Sequence, residues 1–143
     1  MKVKIKYFNK DVIGVHHFPQ GDWIDLSIPS KVTLSGSKFK KIYLGIAMQL
    51  PKGYEAHIAP RGSTFRKWGI LQTNGVGVVD ESYCGDNDEW FVPVVVLDDT
   101  AKFIPAGTRL FQFRIVKKQP KIEFEAVDSL DNKDRGGDGS TDE

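Results

Sequence analysis

The amino-acid sequence predicts an all-β sandwich or jelly roll, and three observations carry that expectation. Short runs rich in β-branched and aromatic residues recur along the chain, at 42–50, 54–59, 76–79, 90–97 and 110–116. Turn chemistry separates them, as in Pro51-Lys52-Gly53, Asn74-Gly75, Asp86-Asn87-Asp88 and Pro105-Ala106-Gly107. Alternation of apolar with charged or polar residues marks a strand near each end, at 2–8 and again at 121–127. Many short strands at a spacing of roughly 8–12 residues are the pattern of a sandwich or jelly roll. Only residues 63–68 suit a short helical turn, with Ser63 or Thr64 as its cap.

A chain of 143 residues can bury its own core as one domain. We expect that domain to span residues 1–127, followed by a flexible C-terminal arm at 128–143. The arm has one leucine and no aromatic residue, too little apolar surface to order itself. No stretch approaches the roughly 18 apolar residues that span a bilayer. The alternation Met1-Lys2-Val3-Lys4-Ile5-Lys6 lacks the apolar centre of a signal peptide, so a cytoplasmic protein with no membrane partner is expected.

One cysteine, Cys84, excludes an internal disulfide and a cysteine-based zinc site. His16 and His17 would point to opposite faces of a strand, and His57 is distant, so no metal-ligand spacing emerges. The net charge of +1 conceals an asymmetry: from Asp128 onward six acids face Lys133 and Arg135, leaving −4 on the arm and +5 on the rest. That is too little for a nucleic-acid footprint, and it suits a body that receives a small anion.

Five segments carry potential chemistry. Asp80 follows the valines of Val76-Gly77-Val78-Val79 and precedes Tyr83, which suggests an ordered site at a strand end. An ionised aspartate there can act as a base toward a positioned water, or it can simply satisfy turn amides. Pro60-Arg61-Gly62-Ser63-Thr64 ends another apolar strand with a glycine, hydroxyls and amides, a combination that favours an anion but also makes ordinary strand-to-helix turns. In Gly107-Thr108-Arg109-Leu110-Phe111-Gln112-Phe113, alternation puts Arg109, Phe111 and Phe113 on one face and Leu110 and Gln112 on the other. A buried Gln112 would need a partner, which could be structural. Asp134-Arg135-Gly136-Gly137-Asp138-Gly139-Ser140-Thr141 offers a charge and glycine amides for a phosphate, or a solvated tail. Asp22 and Asp25, in Gly21-Asp22-Trp23-Ile24-Asp25-Leu26, could hold a hydrated magnesium or be surface aspartates.

The identity and order of these segments resemble the five motifs of the trimeric dUTPase family, from about Gly21 to Thr141. Asn74 to Gly85 is the most specific of them. The wording Gly-Asp-Trp-Ile-Asp-Leu and Asp-Glu-Ser-Tyr-Cys-Gly-Asp-Asn-Asp is similar to the phage and prophage branch of Gram-positive hosts. The resemblance implies a jelly-roll homotrimer in the bacterial cytoplasm that hydrolyses dUTP to dUMP and pyrophosphate, keeping uracil out of DNA. It implies that Asp80 activates the water attacking the α-phosphate, while the main chain at Asn74, Val76 and Val78 reads uracil. Tyr83 would pack against deoxyribose and exclude a 2′-hydroxyl. Arg61, Gly62, Ser63, Gln112, Arg135, Gly137, Ser140 and Thr141 would hold phosphates. The cofactor would be Mg2+ on the phosphate chain, with Asp25 contributing through ordered water.

Two departures from the family pattern bear on the site. Gly62 stands where the family usually has serine, and Asp138 stands where an aromatic residue usually closes over uracil. Trp90 or Phe91, after the third motif, is expected to cover the base instead. The competing enzyme is a dCTP deaminase of the same superfamily, which would require Glu81 near the reacting carbon. A nucleotide-switched binding protein with a regulatory protein partner is the alternative of another class.

Overall fold

The computed structural model describes residues 1–12, 14–36 and 38–139. Twelve strands and one short helix follow in the order β1 Lys4–Tyr7, β2 Val15–His16, β3 Ile24–Ser27, β4 Val32–Leu34, β5 Lys40–Tyr43, β6 Ile46–Gln49, β7 Tyr54–Pro60, α1 Thr64–Trp68, β8 Ile70–Gln72, β9 Gly77–Val79, β10 Phe91–Val96, β11 Lys102–Ile104 and β12 Arg109–Lys117. They form a jelly roll of antiparallel pairs. The largest sheet runs β2-β3-β12-β7-β9, a second runs β5-β10-β8, and two ribbons pair β1 with β6 and β11 with β4.

The core lies where the inner faces of these sheets meet. Leu26 from β3, Ile58 from β7, Val92, Val94 and Val96 from β10, and Phe111 and Phe113 from β12 are all buried there. Along β10 the buried positions alternate with half-buried ones, as a strand with one covered face requires. Trp90 is fully enclosed just before β10 and meets Phe113 edge-on at 5.3 Å.

The simple alternation expected for β12 fails at one place. The register shifts between Arg109 and Phe111, and both Leu110 and Phe111 are buried. A bulge inserts an extra residue, so two successive side chains enter the core. The Leu110 carbonyl is thereby free to accept the Arg61 N–H at 3.0 Å and the Thr64 hydroxyl at 2.5 Å. Those two bonds moor the turn after β7 to β12. Thr64 therefore does not cap α1, and Ser63 at the cap position makes no side-chain bond to it. The helix ends at Gly69, which takes a left-handed φ of 66° that favours glycine.

The strand expected at 121–127 is not formed. The last paired residue is Lys117, and residues 118–139 run without pairing. Ile122, Phe124 and Val127 are exposed, Phe124 by 92%. Alternation encodes a face that needs a cover, and the described residues supply none for it. Four of the strands of two or three residues, β2, β4, β8 and β11, leave no periodic signal, whereas the equally short β9 is marked by its valines. No described helix is long and apolar enough to cross a membrane.

Candidate active site

A cleft of about 170 Å³ opens beside β9. Gly77, Val78 and Val79 form one wall, with Asp80 at the lip and Asn74 from the preceding turn. Tyr83, Trp90 and Phe91 form the opposite side, and Ile58 of β7 contributes to the lining. The sequence-predicted Asn74, Val78, Asp80, Tyr83, Trp90 and Phe91 thus converge. Ile58, Gly77 and Val79 complete the cleft and were not anticipated as site residues, because alone they read as ordinary strand residues.

Local chemistry fixes this shape. Gly75 adopts φ 65°, and the Val76 N–H bonds the Asn74 carbonyl at 2.6 Å, which makes the turn tight. The turn does not close a two-stranded hairpin, since β8 pairs with β10 while β9 pairs with β7. β9 is consequently the edge of its sheet, and one side of its main chain is free for a ligand. At Gly77 a Cβ atom would lie 3.2 Å from the Ile58 Cβ, so glycine permits the close approach of β9 to β7. The Val76 amide is taken by its own turn, and this residue does not line the cleft.

The Tyr83 hydroxyl donates to the Glu89 carbonyl at 2.9 Å, which holds the ring as a wall. Burial, then the nearby Asp88, pushes its phenol above the ordinary tyrosine value, so it remains a donor at neutral pH. Trp90 and Phe91 differ in access. Trp90 is 0% exposed and belongs to the floor, so it cannot close over a base from outside. Phe91 is half-buried, with Tyr43 at 5.7 Å and the Lys41 ammonium 4.7 Å from its ring centre, and it is the aromatic face open to the cleft.

A second, basic hollow lies beyond the far end of β7. Arg61, Ser63, Lys67, Thr108 and Arg109 line it together with Thr64, Trp68 and Gly107. Behind it, Asp25 is buried on β3 and its Oδ2 receives Arg61 Nε and Arg109 Nη1, each at 3.0 Å. One carboxylate thus holds two guanidinium groups side by side and leaves net positive charge facing the hollow. The Arg109 guanidinium is also stacked 4.8 Å from the Phe18 ring centre. Arg109 was missed as a site residue; the signal was its place three residues before Gln112. Gln112 donates to the Pro60 carbonyl at 3.1 Å, a structural partner, and Gly62 is exposed at the turn. Asp22 is paired with Arg114 at 3.0 Å on the surface.

Asp80 and the basic hollow are far apart within one chain. Val79 is opposite Ala56 on β7, so Asp80 lies near Glu55, six residues before Arg61. At about 3.3 Å per residue that is roughly 20 Å, beyond what one triphosphate bridges. Arg135 and Gly137 are exposed on the arm and line neither hollow, with Arg135 Nε bonded to the neighbouring Gly136 carbonyl. Ser140 and Thr141 lie outside the described residues. Glu81 faces away from the base cleft and is bonded to Lys118 at 2.9 Å, which removes it from the place a deaminase would require.

The dUTPase family model matches residues 23–142 of the sequence. The chain belongs to the dUTPase family. The SPbeta prophage-derived deoxyuridine 5'-triphosphate nucleotidohydrolase YosS of Bacillus subtilis is 50% identical over 141 residues, covering 99% of this chain and 98% of the relative. This agrees with the prophage-like wording of the first and third motifs. Among solved structures, a dUTPase of the 80alpha phage superposes with a TM-score of 0.80 at 16% identity, covering 98% of each chain. A mutant dUTPase of phage phi11 of S. aureus, described as coordinating a structural Mg(II) ion, superposes with a TM-score of 0.73 at 15% identity over 92% of this chain and 100% of its own. These two likenesses support the jelly-roll fold found here for a member of the dUTPase family.

Proposed function

We propose that each active site is completed by more than one copy of the chain, with Asp80 of one copy activating the water that attacks the α-phosphorus of dUTP. As a member of the dUTPase family, the chain hydrolyses dUTP to dUMP and pyrophosphate. The observation that carries the composite site is the separation of Asp80, at the lip of the base cleft, from the basic hollow along β7. Pockets for drug-sized ligands run from roughly 300 to 1,000 Å³, and the cleft of about 170 Å³ holds a base and part of a sugar only. The basic hollow of a neighbouring copy supplies the phosphate end. The segment before the arm, with Ile122, Phe124 and Val127 exposed and no cover among the described residues, packs on a further copy, carries the arm there and completes a homotrimer with three sites.

In this reading uracil lies against the free edge of β9 and meets main-chain groups of Asn74 and Val78. Val76, outside the cleft lining and with its N–H taken, shapes the turn instead. Uracil presents an N–H between two carbonyls, where cytosine presents an amino group and a bare ring nitrogen. Main-chain groups set for the first pattern are left unpaired by the second, a discrimination of order 10⁴ or more when buried. Tyr83 fills the space of a 2′-hydroxyl, and Phe91 stacks over the base in place of the absent arm aromatic. Arg61, Arg109, Ser63, the Gly62 amide and Gln112 receive the phosphates, aided by Arg135, Gly137, Ser140 and Thr141 of an arm.

The residues present do not offer magnesium a site made by the protein. Among the described residues no three acidic, histidine or cysteine side chains converge, and the Asp25 carboxylate is committed to two arginines. Magnesium keeps most of its waters and binds through phosphate oxygens, so it enters as part of the Mg·dUTP substrate. Asp80 takes a proton from the water, the water oxygen bonds to the α-phosphorus, and pyrophosphate leaves. Positioning and charge stabilisation do most of the work, as in other phosphoryl transfers. The reaction belongs in the cytoplasm of a bacterial host. Asp80→Asn should abolish pyrophosphate release while dUTP binding measured by calorimetry persists. Turnover surviving in that variant would remove Asp80 from the role.

A further inference from the structure

Asp80 and Glu81 are adjacent but serve different neighbours. The Asp80 carbonyl accepts the Tyr83 N–H at 3.0 Å, closing a turn whose central residues are Glu81 and Ser82. The Glu81 carboxylate accepts Lys118 Nζ at 2.9 Å. Lys118 is the first residue beyond β12, where the chain leaves the body for the arm. Its own N–H donates to the Gly53 carbonyl at 2.9 Å, which fixes this exit to the turn before β7. Asp80, Glu81, Ser82 and Lys118 line one open hollow on the side of the turn away from the base. The Asp80 carboxylate is exposed at the cleft lip, so its aim depends on the turn that carries it.

We propose that Glu81 and Lys118 are a positioning pair, an ion pair that locks the turn carrying Asp80 to the root of the C-terminal arm. The proposal rests on the reading of Asp80 as the group that activates water. This pair joins the departure of the arm, held at Gly53, to the turn that aims the Asp80 carboxylate. The ionisation of both partners agrees with the geometry. Glu81 is held below its ordinary value, first by the Lys118 hydrogen bond and then by the Gly53 main-chain amide. Lys118 is raised, first by its hydrogen bond to Glu81 and then by the charge of Glu81, with Asp80 and Glu55 adding to it.

Stability and catalysis should respond differently. Lys118 is 49% and Glu81 29% exposed, and pairs this open contribute little to folding. A misplaced catalytic group is far more costly, since a shift of about 1 Å can lower a rate about 100-fold. Glu81→Gln and Lys118→Met, each made in the full chain, should lower kcat for dUTP by about tenfold with KM nearly unchanged. Melting temperatures should remain close to the parent's. Lys118→Arg, which keeps the charge, should retain parental kcat, and the reversal Glu81→Lys with Lys118→Glu should recover most of what either single change loses.

Pyrophosphate release is measured on these variants beside Asp80→Asn. Parental kcat in both single variants, or a reversal no better than either, overturns the positioning pair. Loss confined to KM overturns it too, because the contact would then serve binding. An active Asp80→Asn enzyme overturns the Asp80 reading itself. An inactive Asp80→Asn enzyme beside fully active Glu81 and Lys118 variants removes the pair alone.

Discussion

Replacing Asp25 by asparagine separates two roles open to one carboxylate: holding a magnesium ion through water, or holding two arginines. The structure favours the second, with Arg61 and Arg109 both 3.0 Å from Oδ2 and the Asp25 side chain 11% exposed. Bonds to a charged group contribute about 1.5–3 kcal/mol each in protected sites. Here they share one oxygen, and the arginines are 29% and 36% exposed, so solvent recovers much of the loss. Asparagine also keeps one acceptor. The net cost is about 2 kcal/mol, which for a chain of this size lowers Tm by about 4–8 °C. Released from their common anchor, the two guanidinium groups should also raise KM for dUTP about tenfold, equal to about 1.4 kcal/mol. The assay is thermal denaturation at fixed protein concentration without metal, beside a magnesium titration of pyrophosphate release. The magnesium concentration for half-maximal rate should be unchanged. An unaltered metal-free Tm with a raised magnesium requirement would refute the reasoning and return Asp25 to the metal.

Three other outcomes follow from the same geometry. Phe91→Ala should raise KM with little change in stability, whereas Trp90→Ala, emptying a fully enclosed site, should cost about 3–5 kcal/mol in denaturant unfolding. Gly62→Ser should be tolerated, because nothing lies within 4 Å of an added Cβ and φ is not positive. It should add up to about 1 kcal/mol of stability through the unfolded chain and lower KM if the hydroxyl meets phosphate, read by melting and steady-state kinetics. Glu81 has a lowered folded value, so its contribution is present above the ordinary glutamate value and fades as pH falls through the folded one. Lys118 is raised, so its contribution is present below the ordinary lysine value and fades as pH rises through the folded one. The small stability difference between the parent and Glu81→Gln should therefore hold steady near neutral pH and vanish in acid, as followed by denaturant titration.

Much of the fold was legible because its longer strands carry their own period. Residues 54–59 and 110–116 show it, and their structural counterparts β7 and β12 run side by side at the centre of the largest sheet. Where reading failed, the cause was information held outside the segment. The bulge at Leu110 answers to the Arg61 and Thr64 donors, 49 and 46 residues earlier in the chain. The alternation at 121–127 was real, but its cover is absent from the described residues. The base cleft was visible around Asp80, since Asn74-Gly75 and Tyr83 declare a turn and a wall. The arginine pair on Asp25 was not, because it joins three strands whose proximity no local pattern states.

The composite site is tested most directly by mixing two inactive chains. Asp80→Asn removes the water-activating group at the base cleft and Arg61→Ala a guanidinium of the basic hollow, and each alone should release almost no pyrophosphate. Unfolded together in equal amounts and refolded, they should recover about a quarter of parental activity, since sites drawing the two halves from different copies escape both changes about one time in four. A mixture no more active than its components, with assembly verified by light scattering, would contradict a site shared between chains.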